Sequence, residues 1–439
     1  MKNGFKILNK DFTVDMNNLD QSQEAAVISD QPEIVIRAAA GSGKTHTLIT
    51  AVAKHRYDYL NDRICAITFT RAARAEMKSR LEEMGIYDVE VTTIHVWARN
   101  MLDYFADKYD IKIRVLEENE IKSILQDIVK NYILRSKVRS VNINILYTYI
   151  TGSKTMDITD NYRRTLNALE ERYIQYKRSN GLYDFTDYPQ YLWDVMTAYN
   201  EYINHIDALF VDEFQDVDKT QFKIFERVNA NKKFYIGDPW QSIYIFRSAD
   251  GEVFNKLDNF ELFKLKYNYR SFQEIIDYAT TVYESAANCI TDVDFCRRSS
   301  VMCSRGYGGV VNVINAEGEC FQFKDGDYEP NTYLAMKNIY DDMFNGDAEP
   351  MILCRTNKQV RALQELGITN VSTVHQAKGL EYPSVVVVDM EIDAIEDLNV
   401  AYVALTRAKD SLLVTNWGYL ENYLKKRNSA RAMGFSSWR

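Results

Sequence analysis

The chain has 439 residues, of which 46% are hydrophobic and only six are prolines, so it is long enough for two to four ordered globular domains. Its formal net charge of −9 argues against a protein coated in basic surface. With 30 tyrosines and 20 phenylalanines, however, rings are plentiful, and single-stranded nucleic acid binds by stacking on aromatics beside a few cations. The first residues hold no apolar leader, and no long uncharged apolar run follows, so we expect neither export nor membrane insertion. The expected location is the cytoplasm, or the host cytoplasm if the gene is viral.

Short apolar runs alternate with segments of helical pattern along the chain, which predicts an α/β fold with parallel sheets. The predicted strands are 34–36, 64–69, 208–211, 234–236, 310–314, 351–353, 371–373, 385–388 and 412–414. Clear helical patterns cover 70–83 and 271–287. The stretch 96–189 is nearly all helical in pattern, for example at 117–134 and 161–177, and indicates an inserted helical subdomain.

A phosphate-binding loop is predicted at AAAGSGKT, residues 38–45, between a predicted strand and a predicted helix. Glycines at such a turn let backbone N–H groups approach a triphosphate, while Lys44 can reach its outer phosphates and the Thr45 hydroxyl can hold Mg²⁺. Ala38 stands where the general pattern has its first glycine. A glycine-rich turn alone is often only a turn, but here the loop lies in the expected order between strand and helix.

The string VDEFQD, residues 211–216, follows another predicted strand and supplies the carboxylates that the loop lacks. Asp212 is the candidate metal ligand, and Glu213 is the candidate group that orients or deprotonates a water molecule. Together the two strings predict hydrolysis of a nucleoside triphosphate.

The six cysteines include no CxxC pair, and the loose cluster 289–320 holds no histidine. Buried or free thiols in a reducing compartment are therefore expected rather than a zinc or iron–sulfur site.

Further strings follow in a fixed order: TFT at 68–70, GDPWQSIYIF at 237–246, NYRS at 268–271, RTN at 355–357, HQAKGLE at 375–381 and YVALTRA at 402–408. This series resembles superfamily 1 helicases of the UvrD/Rep/PcrA type, from Leu19 to about Leu413. The resemblance implies two RecA-like P-loop NTPase domains with a helical insertion in the first. The implied bounds are 1–95 and 190–258 for the first motor domain, 96–189 for the insertion, 259–424 for the second motor domain and 425–439 for a basic C-terminal tail.

The same resemblance implies how ATP and Mg²⁺ would be held. Gln23 would recognise the adenine edge and Tyr269 would stack on the base, while Glu381 lies at the nucleotide's edge. Arg270 and Arg407 would stabilise the transferring phosphoryl, and Gln241 would sense the γ-phosphate. The phosphate loop would contribute Ala40, Gly41, Ser42, Gly43, Lys44 and Thr45, and the metal would lie between Thr45 and Asp212.

Candidate grips on a DNA strand come from the same resemblance and follow several predicted strands. They are Phe69, Thr70, Arg71, His95, Tyr244, Phe246, Thr373 and His375. Phenylalanines at strand ends are also common core residues, and the two histidines are also compatible with purely structural roles.

The sequence departs from larger relatives in places that bear on function. Only about 16 residues separate Asn357 from Thr373, where those relatives carry a sizeable subdomain, so we infer that this subdomain is absent. Leu398 and Asn399 stand where relatives usually have paired arginines, and Trp240 fills the variable place before Gln241. The tail 425–439 is either a frayed end or a handle for DNA or a protein partner.

The functional prediction is an ATP-driven 3′–5′ translocase on single-stranded DNA that separates duplex at single-strand/double-strand junctions, acting as a monomer in repair, recombination or replication. A second hypothesis is a DNA-stimulated ATPase that strips proteins from DNA. A third is a DNA-sensing subunit of a larger defence or nuclease complex. RNA is a weaker alternative as the track, since nothing in the sequence reports on the 2′-hydroxyl.

Overall fold

The structure, a computed structural model, describes residues 14, 16–136, 138–151, 160–243, 254, 257, 259–290, 301–314, 323–324, 327–328, 349–388 and 395–415. Two predicted DNA grips, Tyr244 and Phe246, and the predicted basic tail 425–439 lie outside the described residues. Among the helices that are described, none has the length and apolar character needed to cross a membrane.

The described helices alternate with strands along much of the chain. The helices are α1 Gln21–Ile28, α2 Lys44–Asp58, α3 Arg71–Glu83, α4 Ile94–Tyr109, α5 Glu118–Ile133, α6 Ile143–Thr151, α7 Asp160–Asn180, α8 Tyr188–Ala198, α9 Lys219–Glu226, α10 Gln273–Ile290, α11 Asn357–Glu365, α12 Val374–Ala377 and α13 Ile395–Leu405. Short 3₁₀ turns cover Phe185–Asp187, Phe214–Asp216 and Pro239–Gln241.

The strands are β1 Glu33–Ala38, β2 Ile64–Thr68, β3 Glu90–Thr93, β4 Ala208–Val211, β5 Lys232–Gly237, β6 Glu261–Leu265, β7 Tyr267–Asn268, β8 Met302–Cys303, β9 Val310–Ile314, β10 Phe323–Lys324, β11 Asp327–Tyr328, β12 Met351–Cys354, β13 Val371–Thr373, β14 Tyr382–Val388 and β15 Ala408–Thr415. A six-stranded sheet has the order β3-β2-β4-β5-β1-β6, and a five-stranded sheet has the order β13-β12-β14-β15-β9. Every neighbouring pair of the five-stranded sheet is parallel.

The central strands have the composition that a parallel sheet covered on both faces requires. All residues of β2 and β4 are buried, as are the last four residues of β14, a run of valines. Such continuous apolar runs lose water on both sides, which is the main favourable contribution to folding. The predicted α/β class with parallel sheets is therefore confirmed.

Contacts within the chain define two compact units. The first contains Val52–Asp212 and Val217–Lys233, and the second contains the described parts of Asp15–Ala51, Glu213–Asp216 and Phe234–Arg439. Each unit gathers several stretches of the chain, and the short piece Glu213–Asp216 belongs to the second unit. The predicted bounds remain predictions.

Within the first unit, helices α5 to α7 form their own apolar core, centred on residues such as Leu125, Leu146 and Leu169. Beside it lies a buried polar cluster in which the Lys177 Nζ donates to Asp184 at 2.8 Å and to Asp187 at 2.5 Å. Asp184 is fully buried, so its charge depends on this partner. The expected helical content of 96–189 is thus observed.

All nine predicted strands are present; several are one to five residues longer than predicted, and β2 is one residue shorter. The prediction missed β3, β6 and the two-residue strands β7, β8, β10 and β11. Strand β6, ELFKL, has only its last residue buried, so it lacks the apolar run used to predict the others. It forms because β1 pairs with it in parallel from Ile34 to Ala38.

Candidate active site

The phosphate loop joins β1 to α2, and two of its glycines adopt left-handed backbone conformations. Gly41 has φ +68° and Gly43 has φ +74°. The hydroxyl of Ser42 donates to the Ala39 carbonyl at 2.7 Å, which closes the turn. A Cβ at Gly43 would come within 2.8 Å of the Gln23 amide nitrogen. The loop conformation therefore needs glycine at these positions for both backbone and space.

Gln23 contacts this loop and stabilises its conformation. Its side chain is buried, its Nε2 donates to the Ser42 carbonyl at 3.0 Å, and its Oε1 accepts from the Asp20 backbone at 3.0 Å. Tyr269 joins the same corner, since its hydroxyl donates to Asp20 at 2.7 Å while its ring is 42% exposed. The exposed ring is available for stacking, whereas one donor and one acceptor of the Gln23 amide are already engaged.

Asn268, which the sequence analysis left unassigned, holds the loop from the other side. Its Nδ2 donates to the Ala40 carbonyl at 2.6 Å, and its Oδ1 accepts from the backbone of Arg270 and Ser271. The Tyr269 backbone also donates to Gly41. Residue 268 was visible as the first letter of NYRS, but only the fold shows that it ties that string to the phosphate loop.

The two predicted carboxylates occupy different settings. Asp212 is buried and follows β4 in the first unit, where its backbone donates to Ile67 at 2.9 Å. Glu213 is half-buried and has φ +50°, an uncommon left-handed conformation for a side chain of its size. Burial acts to raise the pKa of Glu213, but the charges of Lys44 and Lys378 and a hydrogen bond from Gln215 outweigh it. The carboxyl pKa therefore lies below its ordinary value, and Glu213 is charged at neutral pH.

Gln241 and Arg407 are brought together and both are buried. The Arg407 Nη2 lies 3.5 Å from the Gln241 Oε1, and its other nitrogens donate to the carbonyls of Val403 and Leu380 at 3.0 Å. Burial lowers the pKa of the Arg407 guanidinium, and the positive charge of Arg270 acts in the same direction. The guanidinium stays charged at pH 7, so it is a buried cation without a carboxylate at hydrogen-bonding distance among the described residues.

Arg270 and Glu381 form an ion pair at 2.7 Å, and the Lys409 Nζ lies 2.5 Å from the other Glu381 oxygen. Burial acts to raise the pKa of Glu381, and the hydrogen bonds and charges of Lys409 and Arg270 lower it below its ordinary value. The predicted phosphate-binding arginine therefore has a carboxylate partner in this structure.

Lys378 and Asp216 form a second ion pair that the sequence analysis did not single out. The Lys378 Nζ lies 2.5 Å from Asp216 and donates to the Gln241 carbonyl at 3.1 Å. Burial raises the pKa of Asp216 to about 6, Glu213 adds to this rise, and Lys378 opposes it. Both residues were quoted within larger strings, and their pairing across 162 residues of chain is visible only in the fold.

The predicted DNA grips of the first unit follow β2 and β3. Phe69 is half-buried, while Thr70, Arg71 and His95 are exposed. The Thr70 hydroxyl also accepts from the Ala73 backbone at 3.1 Å and so caps α3. Three of these side chains are thus accessible to a strand.

In the second unit, the predicted grips Thr373 and His375 follow β13. Thr373 is buried, and its hydroxyl accepts from the Gln376 backbone at 3.3 Å as the cap of α12. His375 is half-buried as the second residue of that helix. Thr373 has a structural role here, so contact with DNA through its side chain would require that cap to open.

Thr45 and Asp212 have the donor atoms that Mg²⁺ prefers, a hydroxyl and a carboxylate oxygen. The described residues contain no group of three or more histidine, cysteine, aspartate or glutamate side chains suited to holding a metal alone.

A glycine-dependent loop between a strand and a helix, with nearby carboxylates and cations, defines a P-loop NTPase. Comparison with known proteins gives the family. Residues 19–261 match the UvrD/REP helicase N-terminal domain, and residues 370–415 match the UvrD-like helicase C-terminal domain. The first match alone covers more than half of the chain, so this protein belongs to the UvrD/Rep helicase family and is by family an enzyme of the DNA helicase class.

Individual relatives are similar at moderate identity. A probable DNA helicase of Mycoplasma pneumoniae is 26% identical over 91% of this chain and 84% of its own length. A probable DNA helicase II homolog of Mycoplasma capricolum is 29% identical over 60% of this chain and 40% of its own length. The ATP-dependent DNA helicase PcrA of Staphylococcus aureus is 26% identical over 80% of this chain. The chain spans about half of that relative, 49% of its length.

Proposed function

We propose that this protein is an ATP-driven motor that moves 3′ to 5′ on single-stranded DNA and separates the duplex ahead of it. The observation that supports this most directly is the joining of Gln241 to Arg407. Gln241 ends the 3₁₀ turn that follows β5, and Arg407 directly precedes β15, a strand of the other sheet. A bound γ-phosphate touching both would make the two sheets part of one nucleotide site.

The chemistry would be phosphoryl transfer to water. Lys44 and the N–H groups of the loop would bind the phosphates, and charged Glu213 would orient or deprotonate the attacking water. Arg270 and Arg407 would stabilise charge on the transferring phosphoryl. When bound, Mg²⁺ would neutralise phosphate charge, held by Thr45 and Asp212.

Arg270 would have to exchange its partner Glu381 for the phosphate when ATP binds, and would return to Glu381 after release. Such an exchange of charged partners is a physical basis for a conformational cycle driven by the nucleotide. Phe69, Arg71, His95 and His375 would hold the DNA strand through ring faces and charge, which tolerate any base sequence.

The connection from α11 to β13 supports keeping the protein-stripping hypothesis as a second candidate. Helix α11 leads to β13 through residues 366–370 only, so these described residues leave no room for the subdomain that larger relatives carry there. A partner-dependent DNA sensor is the third candidate, since that subdomain is linked in the family with regulation and partner contacts.

The first test is ATP hydrolysis by the purified chain without nucleic acid, with poly(dT) and with poly(rU). We expect strong stimulation by DNA and a loss of about 100-fold or more in Lys44→Ala. Lys54→Ala, on the same helix and paired only with Asp58 at the surface, is the matched control and should keep the native rate. Native hydrolysis by Lys44→Ala would overturn the assignment of the site.

Polarity and strand separation are tested on duplexes with a 3′ or a 5′ tail. Unwinding of only the 3′-tailed duplex is expected. Unwinding of only the 5′-tailed duplex would reverse the proposed direction. DNA-stimulated hydrolysis without unwinding, combined with displacement of streptavidin from biotinylated DNA, would favour the second candidate.

A further inference from the structure

Gln215 lies beside the carboxylate that is proposed to act on water, and both the nitrogen and the oxygen of its side-chain amide are hydrogen-bonded. Its Nε2 donates to a carboxylate oxygen of Glu213, and its Oε1 accepts from the Asp238 backbone at 2.8 Å. The side chain of Gln215 has no exposure to solvent. From this geometry we propose that Gln215 is a positioning residue for ATP hydrolysis, which holds the Glu213 carboxylate in its reactive orientation. The inference rests on the proposed role of Glu213.

The backbone at Glu213 requires such support. Its φ of +50° is uncommon for a residue with a side chain, and strained conformations persist only where the surroundings fix them. The Asp216 backbone donates to the Glu213 carbonyl at 2.9 Å, and the Phe214 ring stacks on Tyr235 with centroids 4.5 Å apart. These contacts hold the backbone, and the hydrogen bond from Gln215 acts on the carboxylate itself.

Gly237, at the end of β5, makes room for this arrangement. A Cβ at Gly237 would overlap the side-chain oxygen of Gln215 and would lie 3.0 Å from the backbone nitrogens of Phe214 and Gln215. The φ of Gly237 is not in the left-handed region, so space rather than backbone freedom explains the glycine. The turn 214–216 therefore packs against β5 at a residue that has no side chain.

The support for Glu213 continues to the residue proposed to sense the γ-phosphate. The Asp238 carboxylate accepts from the Gln241 Nε2 at 2.7 Å, and Gln241 is the residue that lies 3.5 Å from Arg407. The hydroxyl of Ser242 donates to the Gln215 carbonyl at 3.0 Å. A series of hydrogen bonds thus runs from Glu213 through Gln215 and Asp238 to Gln241. A γ-phosphate bound at Gln241 would therefore be linked to the position of the Glu213 carboxylate.

The test is steady-state ATP hydrolysis by Gln215→Met, which keeps the length of the side chain and removes its donor and acceptor. We expect kcat to fall roughly 10- to 100-fold with KM for ATP nearly unchanged. Gln364→Met, on the exposed face of α11, is the control and should match the native protein. An unchanged kcat, or a loss confined to KM, would overturn the proposal.

Two further measurements separate positioning from folding and from failure of the proposed function. Thermal unfolding of Gln215→Met should show a single cooperative transition, which establishes that the slow enzyme is folded. In a protein that already carries Glu213→Gln, the Gln215→Met change should lower kcat little further. The effects of two residues that act through the same group are not additive. Full additivity would overturn the positioning role, whereas native hydrolysis by Glu213→Gln alone would overturn the proposed function of Glu213 instead.

Discussion

The candidate site has two halves that are built in different ways. The phosphate-loop half consists of residues 39–45 with Gln23, and its shape comes from glycine backbone angles and hydrogen bonds to nearby carbonyls. The arginine half consists of Arg270, Lys378, Glu381 and Arg407, and its cations are already bound to protein groups. The first half is ready for phosphate as it stands, whereas the second has to exchange partners. Binding and catalysis should therefore depend on different halves.

The largest expected effect is in the arginine half. Arg407→Ala should lower kcat for ATP hydrolysis about 10³-fold, because a cation that stabilises the transferring phosphoryl is lost. KM should change far less than kcat. Arg407→Lys should recover little, since the single ammonium of a lysine cannot replace three guanidinium nitrogens that contact Gln241, Leu380 and Val403.

Steady-state kinetics of both variants decide this prediction, with Arg361→Ala on the exposed face of α11 as the control. If the loss of activity in Arg407→Ala came mainly from a higher KM, the division into a binding half and a catalytic half would be contradicted.

A smaller effect, on ATP binding rather than on kcat, is expected in the phosphate-loop half. Gly43→Ala would place a Cβ 2.8 Å from the Gln23 amide at a φ of +74°. The loop should lose its shape for phosphate, and the ATP dissociation constant should rise roughly 10- to 100-fold. Titration with a fluorescent ATP analogue measures this change.

Gly367→Ala is the matched control for the glycine experiment. Gly367 has φ +88° with nothing within 4 Å of a built Cβ, so it carries the backbone strain without the steric overlap. Nucleotide binding equal to that of the native protein is expected. If both variants weakened ATP binding alike, general destabilisation rather than loop shape would be responsible.

The smallest effect concerns Asp216, the buried partner of Lys378, and depends on pH. The pKa of Asp216 is raised from its ordinary 3.8 to about 6, so the folded chain holds this proton more tightly than the unfolded chain. The contribution of Asp216 to stability is therefore present at low pH and declines as pH rises from about 4 to 6. Between pH 7 and pH 5 the native protein should gain about 1 kcal/mol relative to Asp216→Asn.

Thermal unfolding of both proteins at pH 7 and pH 5 measures this difference. The native midpoint should rise relative to that of Asp216→Asn by roughly 1 to 2 °C at the lower pH. A constant gap between the two midpoints would show that Asp216 does not titrate in this range.

Much of the fold and of the phosphate-loop half could be predicted because the signals are local. The run 208–211 matched the observed strand residue for residue, since buried parallel strands need continuous apolar sequence. Strand β6 was missed because its residues are mostly exposed, and only its neighbour β1 makes it a strand. At Thr373 the fold adds a helix cap made by its hydroxyl, while its predicted contact with DNA stays a prediction.

The sequence by itself determined the phosphate loop, the carboxylates after β4 and the family, because glycine angles, strand runs and motif order are properties of neighbouring residues. The tertiary structure alone decided which distant groups meet: Asn268 with the loop, Lys378 with Asp216, and Gln241 with Arg407 across 166 residues of chain. It also decided that Gln215 faces Glu213, since that depends on the missing Cβ of Gly237 on another strand. Contacts of this kind depend on sheet packing, and no spacing along the chain encodes them.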